Sequence, residues 1–111
     1  MKPSEYLDAA RVALGAPSDY ALQKPLLLSK QQIGRYRKNL DFFSDEVCVR
    51  IAAVLGKEPA LVMLDMHRER SKERSPSPEV QAAWTLMLEK FSMGFEVLMS
   101  CVNPRGTRLS A

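Results

Sequence analysis

The sequence predicts an all-α fold. Three observations carry that expectation. Helix-start and helix-stop residues recur along the chain, the apolar residues between them return every three or four positions, and no stretch shows the period of two that a half-buried strand requires. At 111 residues, 46% of them hydrophobic, the chain is long enough for one compact domain with a core and an appended element.

Each element follows from its own punctuation. Pro3 or Ser4 opens a first helix, "SEYLDAARVAL", with Tyr6, Ala9, Ala10, Ala13 and Leu14 at helical spacing and Gly15 with Pro17 as its stop. Ser18 is placed to cap a second, "DYALQKPLL", in which Ala21 and Leu22 turn inward. Pro25 lacks the N–H that would bond back to Ala21, so it should kink or end that helix. Ser29 starts a third helix, and Gln32 three residues on completes an S-x-x-Q capping box, with Asn39 as a left-handed stop. Ser44 caps a fourth, where Asp45 and Glu46 favour the positive end of the helix dipole, Val47, Ile51, Val54 and Leu55 form the buried stripe, and Gly56 ends the run. Pro59 occupies the first position of a fifth, which carries Leu61, Val62, Leu64 and Met66.

The texture then changes. "HRERSKERSPSP" has no apolar residue and reads as an exposed helix end followed by a linker. Arg68, Arg70, Lys72 and Arg74 alternate with Glu69 and Glu73, giving i,i+4 pairing where helical, and a solvated linker is favoured over a phosphate contact. Ser77 and Pro78 open a sixth helix of about 25 residues that stops at Asn103-Pro104, followed by a mobile, weakly basic "PRGTRLSA". The expected organisation is a domain over 1–67, a charged linker over 68–78, a C-terminal helix over 79–103 and a tail over 104–111.

Composition excludes several classes. Cys48 and Cys101 are far apart in apolar surroundings and no charged-then-apolar leader precedes the first element, as expected of reduced, buried thiols in a cytoplasmic protein. Glu79, Glu89, Lys90 and Glu96 interrupt the longest weakly charged stretch, so no membrane span is expected. His67 has no second ligand at metal-binding spacing. With no phosphate loop, no Ser/His/Asp set and no CxxC, neither an enzyme nor a cofactor is expected.

Charge distribution is more informative than the net +3 and pI near 9.0. Lys24, Lys30, Arg35, Arg37 and Lys38 fall between Tyr20 and Leu40, where there is no Asp or Glu, predicting a locally positive surface. The third helix, "SKQQIGRYRKN", is polar between apolar runs and follows directly on a short helix and a tight turn, which is the helix-turn-helix arrangement. With Ile33 and Tyr36 facing inward and Leu40 continuing that side, Lys30, Gln31, Gln32 and Arg35 face outward as base readers. Gln is able to pair bidentately with adenine, and Arg or Lys to meet the acceptors of guanine. Gly34 lowers helix propensity by about 1 kcal/mol, which a close backbone approach to a duplex would justify. Arg37 and Lys38 suit phosphates, as do the amides around Ser18, although the Asp19 carboxylate opposes that contact. A merely solvated polar face is the alternative; the missing acids, the paired glutamines and the preceding helix weigh against it.

From "SDYALQKPLLLSKQQIGRYRKN" through "SDEVCVRIAAVLGKEPALVML", roughly residues 3 to 67, the chain resembles the λ-repressor/Cro-like helix-turn-helix family. It is most similar to small phage-derived regulators, of prophage or filamentous-phage type, with a "YAL" second helix and a "SDEVxxRIAxxLG" fourth. The resemblance implies a five-helix λ-repressor-like domain, base reading by Lys30, Gln31 and Arg35 with Gln32 alongside, backbone contacts near Arg37 and Lys38, and core positions at Leu22, Ile33 and Ile51. The chain departs from the family at Gln23, where a small Ala is usual, at Leu27, where a Gly is usual, and at Pro25.

The final helix carries a continuous stripe of Val80, Trp84, Met87, Phe91, Phe95, Leu98 and Val102, broadened by Leu88, Met99 and Cys101. At about 35 Å it outruns a five-helix domain. Trp84, Met87, Phe91, Phe95, Leu98 and Val102 are therefore the expected homodimer contacts, with folding back onto the domain as the alternative. A two-fold dimer sets its recognition helices about 34 Å apart, one turn of DNA. The resulting expectation is a dimeric phage or prophage repressor that occludes a double-stranded operator, with an antirepressor protein as a possible partner. The competing class is a protein-interaction module on the same scaffold, such as an antitoxin, antirepressor or host-factor inhibitor, acting through the last helix.

Overall fold

The computed structural model describes residues 1–74 and 77–102, with side chains described as far as Met93 in the last helix. Among the described residues the chain is all-helical, without strands. Its elements are α1 (Pro3–Leu14), a 3-10 turn (Tyr20–Leu22), α2 (Gln23–Leu26), α3 (Lys30–Arg37), α4 (Asp45–Leu55), α5 (Pro59–Arg74) and α6 (Pro78–Val102).

Stops of one kind punctuate the first four helices. Gly15, Leu27, Asn39 and Gly56 all adopt the left-handed conformation. After α2 and α3 the backbone closes in the same pattern, with Leu28 N–H donating to the Gln23 carbonyl at 3.0 Å and Leu40 N–H to the Arg35 carbonyl at 2.9 Å. Leu27 holds φ 52° and ψ 47° despite its Cβ, a conformation costing about 1–2 kcal/mol that the burial of Leu26 and Leu28 on either side helps to offset.

The second helix differs from the expected single run. Its start is a 3-10 turn, so Ser18 is exposed and does not cap an α-helix; Asp19 takes the cap position without a side-chain capping bond. The break has a physical consequence for Pro25, which falls within the first turn of a four-residue α2, where no amide N–H is needed. Proline is thus accommodated without a kink, at the expense of helix length.

Tyr6, Leu7 and Ala10 of α1 and Val47, Cys48, Ile51 and Ala52 of α4 form the centre of the core, closed by Leu22 and Leu26, by Ile33 and Tyr36 of α3, and by Val62 and Met66 of α5. Burial pushes the Cys48 thiol up to about 11, leaving it protonated at neutral pH. In α1 the buried stripe runs through Leu7, while Ala13 and Leu14 are exposed. Leu40 is also exposed, at 58%, contrary to the inward placement expected from helical spacing. The left-handed Asn39 turns the chain out of α3, and Phe43 enters the core in its place. Its fully buried ring meets Tyr36 at 4.7 Å and Tyr6 at 5.8 Å between centroids, both edge to face.

α5 continues to Arg74, through residues expected in a linker. It buries two carboxylates that apolar periodicity did not reveal. Asp65 accepts from the Tyr6 hydroxyl, from Arg68 at 2.5 Å and from the Met1 amino group at 3.0 Å, while Glu69 accepts from Lys72 at 2.9 Å. Both are satisfied in this way, and Asp65 ties α1 to α5 through Tyr6. α6 packs against α5, and no described helix is long and apolar enough to cross a membrane.

The exchange of Phe43 for Leu40 in the core is directly measurable. In urea denaturation, Phe43→Ala is expected to cost about 3–5 kcal/mol, and Leu40→Ala to stay within about 0.5 kcal/mol of the parent. Comparable losses would contradict this packing.

Candidate nucleic-acid interface

α3 is held from both ends and from beneath. At its start Gln32 N–H donates to Ser29 Oγ at 3.1 Å and Ser29 N–H donates to Gln32 Oε1 at 2.9 Å, completing the expected capping box. Ile33 and Tyr36 anchor it to the core. At its end Asn39 Oδ1 accepts from Ser4 N–H at 3.0 Å, so the turn that closes α3 also caps the start of α1.

Lys30, Gln31, Gln32 and Arg35 are all exposed, but their chemistry is not equivalent. The Gln32 carbonyl is occupied by the cap, and bidentate pairing with adenine requires both ends of the amide. Gln31 has no such tie among the described residues. Arg35 lies beside Asp41, donating from Nε at 2.5 Å and Nη2 at 3.2 Å, and this pairing holds the Asp41 carboxyl below its usual range. The two side chains are about half exposed, at 54% and 47%, so a better acceptor is able to displace Asp41.

Arg37 is engaged differently. Its Nε and Nη2 donate in parallel to the two Asp19 carboxylate oxygens at 2.9 and 2.6 Å, and Nη1 donates to Asp8 at 2.6 Å and to the Ser4 carbonyl at 3.3 Å. One guanidinium thereby links α1, the segment entering the 3-10 turn, and α3. The expected phosphate clamp is a structural clamp here, because every face of the fork already has an acceptor. Asp19, expected to oppose an anion at that turn, is neutralised by the same fork, and the hydrogen bonds from Arg37 lower its pKa.

The unbroken positive surface expected between Tyr20 and Leu40 is therefore interrupted. Acids just outside that window, Asp19 and Asp41, together with Asp8 from α1, pair with two of its five cations. Lys30 and Lys38 form no ion pair among the described residues. They lie on one row along α3 and its C-cap, four positions to either side of Gly34, where an added Cβ would meet open space. Tyr20, 77% exposed, and Gln23 form the opposite wall of this groove, and Leu27 is exposed beyond it at 68%. Helical spacing through Ala21 and Leu22 gives no sign of this role for Tyr20; the 3-10 turn presents it outward.

The expected dimer stripe divides as well. Trp84 is half-buried, its ring stacked on His67 of α5 at 6.4 Å and 9°, so it packs within the chain. Met87 and Phe91 are exposed, as are Leu86 and Met93. The side chains of Phe95, Leu98 and Val102, and of Cys101, lie outside the described residues, as do residues 103–111.

The clamp has a pH signature. A depressed Asp19 pKa contributes stability that is present above the ordinary carboxylate value and is lost as pH falls through the folded-state value. Arg37→Ala should cost about 1–2 kcal/mol at neutral pH, and the deficit relative to the parent should shrink below about pH 4. A deficit independent of pH in thermal or urea unfolding would show that the clamp does not work through Asp19. Comparison of the chain with protein-family models, with curated proteins and with solved structures finds no match in any of the three.

Proposed function

We propose that the protein is a sequence-specific, double-stranded DNA-binding regulator in which α2, the turn at Leu27 and α3 form a helix-turn-helix within a λ-repressor-like arrangement of α1 to α5. The observation that carries the reading is the row Lys30, Gly34, Lys38 along α3 and its C-cap. Two lysines without ion-pair partners among the described residues flank a bare stretch of helix backbone, on a helix whose apolar residues are already buried. A surface helix with no partner gains nothing from a glycine there, whereas one laid into a groove gains close approach.

In this mechanism Gln31 and Lys30 read base edges from the first turn of α3. Arg35 joins them by leaving Asp41, and Gln32 contributes through its free amide nitrogen. Lys38 holds phosphate, with the exposed Ser18 as a further backbone contact and Tyr20 lining the groove. Arg37 sets the angle between α3 and its neighbours and does not touch the duplex. Pairing of two copies through the exposed Met87 and Phe91 face of α6 would supply two half-sites, and occlusion of a promoter would make the regulator a repressor of phage or prophage type.

A second reading is favoured by one observation, the exposed apolar group Leu86, Met87, Phe91 and Met93. On that reading α6 binds a foreign protein, and the scaffold serves an antitoxin, an antirepressor or an inhibitor of a host factor.

Two measurements separate these readings. In operator titrations at varied salt, a selected duplex should bind several orders of magnitude more tightly than random duplex. Gln31→Ala should cost about 1–3 kcal/mol and relax preference at one base position, while Lys38→Ala weakens all sequences alike. Gly34→Ala should raise fold stability by up to about 1 kcal/mol yet weaken DNA binding; stronger or unchanged binding would refute the close approach. In light scattering, a homodimer that becomes monomeric on Met87→Glu with Phe91→Glu supports the regulator, and a monomeric parent supports the interaction module.

A further inference from the structure

The alternating charges of α5 separate in space. Arg68 and Lys72 face the buried carboxylates Asp65 and Glu69, where they are balanced. His67, Arg70, Ser71 and Arg74 fall on another face of the same helix, at spacings of three and four, and with Trp84 of α6 they line a cleft of ≈ 310 Å3 that has no acid among its described lining residues. Arg70 and Arg74 are thus like charges one turn apart, an arrangement that costs helix stability unless an anion lies between them. The volume is several times the roughly 30 Å3 share of one water, enough for a phosphate group with part of its hydration shell.

Position decides which phosphate. Arg70 Nη2 donates to the Phe43 carbonyl at 2.7 Å, and the Phe43 ring lies against Tyr36 of α3. The segment between α3 and α4 therefore joins Arg35, paired through Asp41, to Arg70 at its other end. Trp84 stacks on His67 and walls the cleft on the α6 side, and Gln81 of α6 reaches Ser71 Oγ at 3.4 Å.

We propose that this face of α5 is a second, sequence-independent contact for a phosphodiester group of duplex DNA, flanking the bases addressed by α3. The proposal rests on the DNA-binding reading above and adds a site on a helix outside the helix-turn-helix. Arg74 and Ser71 take the phosphate oxygens, Arg70 adds charge while remaining on the Phe43 carbonyl, and the Trp84–His67 stack fixes the outer wall. The contact needs α5 to continue to Arg74, since a helix ending at residue 67 and followed by a linker would scatter these groups.

The test is a salt series on the full chain with the selected duplex. Arg74→Ala should reduce the slope of log affinity against log salt by about 0.9, the release of one counterion-equivalent contact, without changing the ranking of operator sequences. Lys72→Ala removes the same charge from the same helix on its balanced face and should leave the slope unchanged. Emission of Trp84, the only tryptophan, should shift along the wild-type titration and much less with Arg74→Ala. Wild-type binding with an identical slope in Arg74→Ala, or equal slope changes in Arg74→Ala and Lys72→Ala, overturns the site while leaving the DNA reading intact. Failure of the wild-type chain to bind any duplex overturns both.

Discussion

Phe43 is the constraint on which the arrangement depends. Its ring fills the space between Tyr6 of α1 and Tyr36 of α3, and its carbonyl is held by Arg70 of α5. A fully buried aromatic side chain contributes on the order of 1.5–3 kcal/mol by burial, more than the surface ion pairs around it. It also fixes three helices relative to one another, α1 and α3 through its ring and α5 through its carbonyl. The polar clasps then set finer angles, with Arg37 on Asp19 and Asp8 and Asn39 on the first turn of α1.

This division of labour accounts for the character of α3. The buried side is fixed by two residues, Ile33 and Tyr36, and both helix ends are closed by side-chain and backbone bonds. The outward face is then free to be polar without cost to the fold. The structure spends Arg37 and half of Gln32 on holding the helix and leaves Lys30, Gln31 and Lys38 without intramolecular duties among the described residues. The exposed face of α3 thus carries residues of two kinds, those committed to the fold and those with no intramolecular partner among the described residues.

Much of the helical punctuation was legible in the chain. Ser29 with Gln32, Ser44, Asn39 and Gly56 cap or stop helices as their chemistry predicts, because these bonds form between residues a few positions apart. The outward placement of Lys30, Gln31, Gln32 and Arg35 was legible for the same reason. The charge of that surface was not. A window from Tyr20 to Leu40 counts no acid, yet Asp8 lies 29 residues from Arg37 and reaches it through the fold. Likewise the charges of α5 alternate in sequence and segregate in space, because a period of 3.6 sends alternate residues to different faces.

What the sequence by itself determined is local: the helical class, most starts and stops, and which side of α3 is apolar. Those follow from capping chemistry and from periodicity along a few turns. The tertiary structure decided the rest. It placed Phe43 in the core instead of Leu40, since a left-handed residue redirects the chain by an amount no spacing rule contains. It absorbed Pro25 into a first turn and gave Leu27 a left-handed conformation, with buried leucines on either side offsetting the strain. It also chose which cations are paired, because an ion pair depends on distance through space, and that distance is set only when the helices have packed.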